Sequence, residues 1–154
     1  MTGYTTKTLL LGACTLFQLG VNAAIFVIMS LFVQSSIVDV CLMSKDIHEV
    51  FPCNYAYVVA GIGCILNIIF FVLVSFSKDK LKILRVLVAS TVFCWYSCGG
   101  VVLSIYVYEA NAANTQQQGW RVTTLMLVWT NVVLSLVMIG INACDKKVKE
   151  SIMV

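Results

Sequence analysis

Four stretches of the chain run without a single Asp, Glu, Lys or Arg: Thr8–Val38, Val50–Ser77, Val86–Tyr108 and Val122–Cys144. They are 31, 28, 23 and 23 residues long. A helix rising about 1.5 Å per residue needs about 20 residues to cross a hydrocarbon core of about 30 Å. Each window is long enough for one crossing and none for two. The pattern predicts helices over Thr8–Val33, Tyr55–Phe76, Ile83–Tyr108 and Val122–Ala143. Spanning strands would alternate polar and apolar residues, and the run Ile65-Leu66-Asn67-Ile68-Ile69-Phe70-Phe71-Val72-Leu73 does not. The expected fold is all-α, an integral membrane four-helix bundle forming one domain over residues 1–154. The first window is too long for a cleavable signal peptide, and Gln18 and Asn22 interrupt its middle. It is expected to be a retained helix.

Composition agrees with the bilayer as solvent. The chain is 60% apolar and 11% charged, with a mean hydropathy of +0.96. Soluble domains average about 25% charged residues. Charge then sets the orientation. Lys7, Lys78, Lys80, Lys82, Arg85, Lys146, Lys147 and Lys149 fall on one side of the four crossings, which is eight of the ten basic residues. Only Lys45 and Arg121 fall on the other. By the excess of Lys and Arg in cytosolic loops, both termini and the turn Ser77–Lys82 are expected in the cytosol. The segments Gln34–Asn54 and Glu109–Arg121 are expected outside or in a lumen. Basic residues at that cytosolic rim point to anionic membrane lipid, not to nucleic acid.

The seven cysteines sort by this topology. Cys41 and Cys53 share the oxidising side and one loop, so a disulfide between them is expected; the alternative is two free thiols. Cys64, Cys94 and Cys98 lie within helices as small apolar fillers. Cys144 sits at the cytosolic end of the fourth helix, beside Asp145-Lys146-Lys147, where palmitoylation and an unmodified thiol are both open. Metal binding is not expected: Cys94 and Cys98 share a helix face, but the single histidine, His48, is outside the membrane.

Polar residues recur at one depth of the helices. Gln18, Asn67 and Asn131 fall near the bilayer midplane, with Tyr96 and Ser97 at the same level and Asn22 one turn from Gln18. Unpaired amides are costly in hydrocarbon, so these should face inward and bond across helices. Such a layer reads either as glue between helices or as a polar binding site. A transport path usually includes an ionisable member, and these cores have none, which favours glue. Small residues also stack at helical spacing. Ser90, Cys94 and Cys98, followed by Gly99 and Gly100, predict a seam on the third helix for close approach, either by its own bundle or by a partner's helix.

The order of these parts resembles the MARVEL-type four-pass proteins, the group containing synaptophysins and occludin. A tight basic turn joins the second and third helices. The run Leu87-Val88-Ala89-Ser90-Thr91-Val92-Phe93-Cys94-Trp95-Tyr96-Ser97 is similar to that family's small-residue stretch leading to an aromatic. Leu127-Val128-Trp129-Thr130-Asn131-Val132-Val133-Leu134 resembles its Trp followed by a nearby Asn. The resemblance covers roughly the last two-thirds of the chain and implies membrane apposition or vesicle trafficking. Claudins fit less well, because Gln34–Asn54 has no Trp, and tetraspanins fit less well because Glu109–Arg121 is short and lacks Cys.

No phosphate loop or cofactor motif occurs, and no carboxylate pair lies within a charge-free core. The expectation is a non-enzymatic protein of the plasma membrane or of secretory or vesicle membranes. It would act as a membrane organiser or as an accessory subunit of a larger channel, receptor or pump. Its partners would be lipids and either other integral membrane proteins or copies of itself. The alternative is a small oligomeric channel or transporter.

Overall fold

The computed structural model describes residues 2–35, 40–43, 46, 50–76, 82–113 and 118–152. Four long helices account for nearly all of them: α1 (Thr2–Ile28), α2 (Phe51–Phe76), α3 (Lys82–Ala112) and α4 (Gln118–Ile152). Four segments are long and apolar enough to cross a membrane: Thr6–Val33, which runs from α1 through the turn that follows it, Phe51–Ser75 in α2, Ile83–Ala112 in α3 and Gln118–Ala143 in α4. The fold is all-helical apart from a two-residue ladder. In it β1 (Gln34–Ser35) pairs antiparallel with β2 (Val40–Cys41), Gln34 opposite Cys41.

Burial follows a heptad in every helix. On α1 the stripe of buried positions is Leu11, Thr15, Gln18, Asn22 and Ile25, with Val21 beside it, and it continues to Met29 just past the helix end; on α2 the buried positions include Ala56, Ala60, Gly63, Asn67, Phe70 and Val74. On α4 the stripe is Arg121, Thr124, Val128, Asn131, Ser135, Met138 and Asn142, with Val132 beside it. Alternating steps of three and four residues hold one stripe toward the neighbours, as knobs-into-holes packing requires. The helices pack in a ring in which α1 touches α2 and α4, and α3 touches α2 and α4. One end of the core gathers Leu11, Phe70, Val74, Ala89 and Met138; the other gathers Ile25, Cys53, Ala56, Leu103, Val107 and Val128. Those pairings make consecutive helices antiparallel.

The α1 stripe slips by one residue at its end. After Met29 the heptad would bury Phe32, yet Val33 is buried and Phe32 is exposed. The slip coincides with a wide π-helical turn over Met29–Val33, which adds one residue to the helix period. The displaced Phe32 ring stacks on Trp120 with centroids 4.1 Å apart.

The helices outrun the windows that predicted them. Residues 2–7, 51–54, 109–112 and 118–121 are helical, and α4 continues to Ile152 instead of ending at Ala143. The physical reason is simple. Absence of charge marks the hydrocarbon slab, whereas a helix closes its own hydrogen bonds and continues into the polar interface. At the start of α2 the Val50 carbonyl accepts from the Asn54 amide at 3.1 Å. Pro52, which has no N–H to lose, fits that first turn. Cys53 is therefore a helical residue and not part of the loop.

Candidate functional site

Heptad positions at mid-depth carry amides in place of aliphatic side chains, and the bundle brings them together. Gln18, Asn22, Asn67, Tyr96, Asn131 and Ser135 are fully buried, and every helix supplies at least one. Asn131 Nδ2 (α4) donates to Asn22 Oδ1 (α1) at 3.0 Å. Asn22 Nδ2 donates onward to the Tyr96 hydroxyl (α3) at 2.7 Å. Asn67 Nδ2 (α2) donates to the same hydroxyl at 3.2 Å. Gln18 Nε2 donates to the Asn131 carbonyl and to Ser135 Oγ, both at 3.0 Å. Ser135 Oγ in turn donates to the Asn131 carbonyl at 2.7 Å. Interhelical bonds of this kind contribute roughly 0.6–2 kcal/mol each in membranes, so the layer both holds the ring closed and fixes its register.

Tyr96 reaches the centre because Gly63 leaves room for it. A Cβ at position 63 would collide with the Tyr96 hydroxyl and would lie 2.6 Å from Cζ and 2.8 Å from Cε1. Gly63 was not among the residues singled out from sequence, although it sits one turn before Asn67, where a small residue admits a neighbour's ring. Ser135, also overlooked, was detectable as the residue one turn after Asn131. Ser97 does not join the layer. It is adjacent to Tyr96 on α3 and points elsewhere, and its hydroxyl oxygen is buried without a partner. Three amide oxygens inside the layer also have no donor: Gln18 Oε1, Asn67 Oδ1 and Asn131 Oδ1. A buried acceptor left unpaired costs about 1–3 kcal/mol. The layer therefore retains unmet acceptor capacity.

The two deep tryptophans both find acceptors. Trp95 Nε1 donates to the Val59 carbonyl of α2 at 2.9 Å, and Trp129 Nε1 donates to Ser104 Oγ at 3.3 Å.

The predicted seam on α3 divides in two. Gly99 and Gly100 face the chain's own helices: a Cβ on Gly99 would lie 2.9 Å from the methyls of Val59, and one on Gly100 would lie 3.3 Å from the Trp129 ring. Cys94 and Cys98 are exposed on the outside of the bundle and Ser90 is half-buried. The five residues therefore do not form one continuous surface: Gly99 and Gly100 pack within the bundle, and Cys94 and Cys98 lie on its outside. Steps of four place 90, 94 and 98 in a row, but 99 and 100 lie about 100° and 200° farther round a helix of 3.6 residues per turn. Gly100→Leu is expected to abolish folding by driving into Trp129, while Cys98→Leu should leave a monodisperse bundle. Detergent size-exclusion profiles of the two variants check this.

A second constellation closes the end of the bundle where Cys41 and Cys53 lie. They form a disulfide with a Cα–Cα distance of 5.9 Å, and both are fully buried. Its neighbour Leu42 is tied twice: its amide donates to the Val33 carbonyl at 3.0 Å, and its carbonyl accepts from Arg121 Nη1 at 2.8 Å. Arg121, fully buried, also forks onto Asn111 Oδ1 through Nε at 3.2 Å and Nη2 at 2.9 Å. One guanidinium thus links the loop after α1, the end of α3 and the start of α4. From sequence Arg121 entered only the charge count, as the last residue of a loop; it is instead a core position of α4. The disulfide closes about a dozen residues, which should contribute roughly 3 kcal/mol in the chain-entropy model. Cys41→Ser should therefore lower the amount of folded protein recovered from membranes well below that of Cys64→Ala, since Cys64 is only half-buried. The side chain of Cys144, the basic residues of the 77–81 turn, Lys45 and His48 lie outside the described residues.

Among the described residues no group of three or more His, Cys, Asp or Glu side chains is placed to hold a metal ion. What the site can do follows from its chemistry: neutral amides, a phenol and a hydroxyl, all inside the ring, can bind a small polar guest or bind one another. No protein-family model, no curated protein and no solved structure matches the chain.

Proposed function

We propose that the chain is a non-enzymatic four-pass protein that organises membranes or serves as an accessory subunit of a larger membrane complex. Both termini are assigned to the cytosol. The observation that carries the reading is the inward closure of the polar layer. Its amides bond across the four helices, and the outward faces display apolar side chains such as Leu16, Ile65, Leu87 and Val133. A protein built this way meets others through helix faces in the bilayer, because segments as short as Gln34–Val50 fall far below the roughly 40 residues a separate folded domain needs. The charge asymmetry supports the orientation, with net charges of +5 and −2 on the two sides. The resemblance to MARVEL-type proteins supports a role in vesicle trafficking or membrane apposition, at the plasma membrane or in secretory membranes.

Cross-linking in native membranes, followed by purification in mild detergent, tests the proposal. A stoichiometric larger membrane partner is the expected result; a ring of identical copies would overturn it in favour of a small oligomeric channel or transporter. The three unpaired amide oxygens are the specific observation on the side of that second reading. Asn131→Leu separates the two further. It should weaken the bundle by about 1–3 kcal/mol through loss of the bond to Asn22, with no ion current in reconstituted wild type or variant. A wild-type conductance abolished by the substitution would favour the channel.

A further inference from the structure

We propose that the groove between α1 and α2 holds one acyl chain of an anionic glycerophospholipid, drawn from the leaflet on the basic side of the bundle. The groove has a volume of about 470 Å³. Thr8, Gly12, Ala13 and Leu16 of α1 line it opposite Phe71 and Ser75 of α2. Two small residues make the space. Gly12 has no side chain, and Ala13, which is exposed, offers a single methyl. A Cβ on Gly12 would meet only Phe71 Cε2, at 3.9 Å, so the opposite helix does not close over this position.

The extent of the groove selects its occupant. Thr8 opens the first charge-free window, at the membrane boundary, and Gln18 lies near the midplane. From Thr8 to Leu16 the helix rises about 12 Å, and one leaflet of the hydrocarbon core is about 15 Å deep. The groove thus runs through one leaflet and stops short of the amide layer. A partner's transmembrane helix would cross both leaflets, whereas an acyl chain ends where the groove ends. The polar lining residues, Thr8 and Ser75, both stand at the boundary end, level with the ester and glycerol oxygens of a lipid. Charge selects the headgroup. Lys7 adjoins Thr8 at the mouth, and the sequence places a net charge of +5 on this side against −2 on the other. Basic residues at a membrane surface attract anionic headgroups. The inference requires the bundle to sit in a bilayer, but it does not depend on the organiser role.

Native mass spectrometry of the full chain tests it, with dioleoyl-phosphatidylglycerol or dioleoyl-phosphatidylcholine titrated into the detergent. The wild type should retain one phosphatidylglycerol in preference to phosphatidylcholine. Lys7→Gln should reduce that preference roughly fivefold, the effect of one surface Lys on anionic lipid. Ala13→Phe fills the groove from an exposed position and should lose the retained lipid, while Cys94→Phe, on the outside of α3, should keep it. Failure of the wild type to retain lipid, where no variant can misfold, would overturn the proposal. So would equal retention of the two lipids, or retention in Ala13→Phe equal to that of wild type. A wild-type dimer that Ala13→Phe dissociates would assign the groove to a second copy of the chain and overturn the lipid. These spectra contain no partner protein, so their outcome is separate from that of the cross-linking in native membranes.

Discussion

Gly63→Ala is expected to destabilise the bundle by about 2–3 kcal/mol, the combined effect of overpacking and of displaced hydrogen bonds. On helix propensity alone the same change would stabilise α2 by up to about 1 kcal/mol. Sterics reverse the sign. The added methyl would occupy the space of the Tyr96 hydroxyl, and Tyr96 is the group on which Asn22 and Asn67 both converge. Moving the phenol breaks the link between α1, α2 and α3 in one step. Gly61→Ala, two residues away, is the control: its Cβ would meet only Phe26 Cζ at 3.7 Å, an ordinary contact. Tyr96→Phe should not rescue Gly63→Ala, because the ring atoms Cζ and Cε1 remain at 2.6 and 2.8 Å. Thermal unfolding of the four proteins in one detergent checks the set. Equal midpoints for Gly61→Ala and Gly63→Ala would show that Tyr96 is not held by the gap.

Arg121→Met should cost on the order of 3 kcal/mol, because hydrogen bonds to charged groups are the stronger class and two acceptors lose theirs together. Asn111 Oδ1 and the Leu42 carbonyl would both be left inside the bundle end without their donor. The side chain of Met resembles the Arg stem in length, so the loss reports hydrogen bonding more than packing. Arg121→Lys should recover part of it, since an ammonium reaches one acceptor well but cannot fork as a guanidinium does. The segment around Leu42 carries Cys41, so its release should also expose the disulfide. Faster reduction of Cys41–Cys53 in Arg121→Met than in wild type, at equal reductant, is the measurement. An unchanged reduction rate would mean that Arg121 does not hold this segment.

The sequence by itself determined the number of helices, the placement of their membrane-spanning parts and the four amides that had to turn inward. Each of these follows from a solvent rule that acts residue by residue. A charge-free window of 23 residues or more can cross hydrocarbon whatever it packs against, and a buried amide needs a partner whatever its identity. Gln18, Asn22, Asn67 and Asn131 were legible for that reason, and the Cys41–Cys53 pairing was legible because these are the two cysteines in the segment Gln34–Asn54 that joins the first two predicted helices. The tertiary structure alone decided which partner each group takes. Tyr96 as the meeting point, Gly63 as its gap, the division of the α3 seam between Gly99–Gly100 and Cys94–Cys98, and Arg121 as a core residue all depend on helix rotation. Rotation is set by the summed packing of four stripes and by a single slip at Met29–Val33. No local pattern carries that sum: an apolar helix is nearly as hydrophobic on its lipid face as on its core face, so the amphipathic signal that orients soluble helices is faint here.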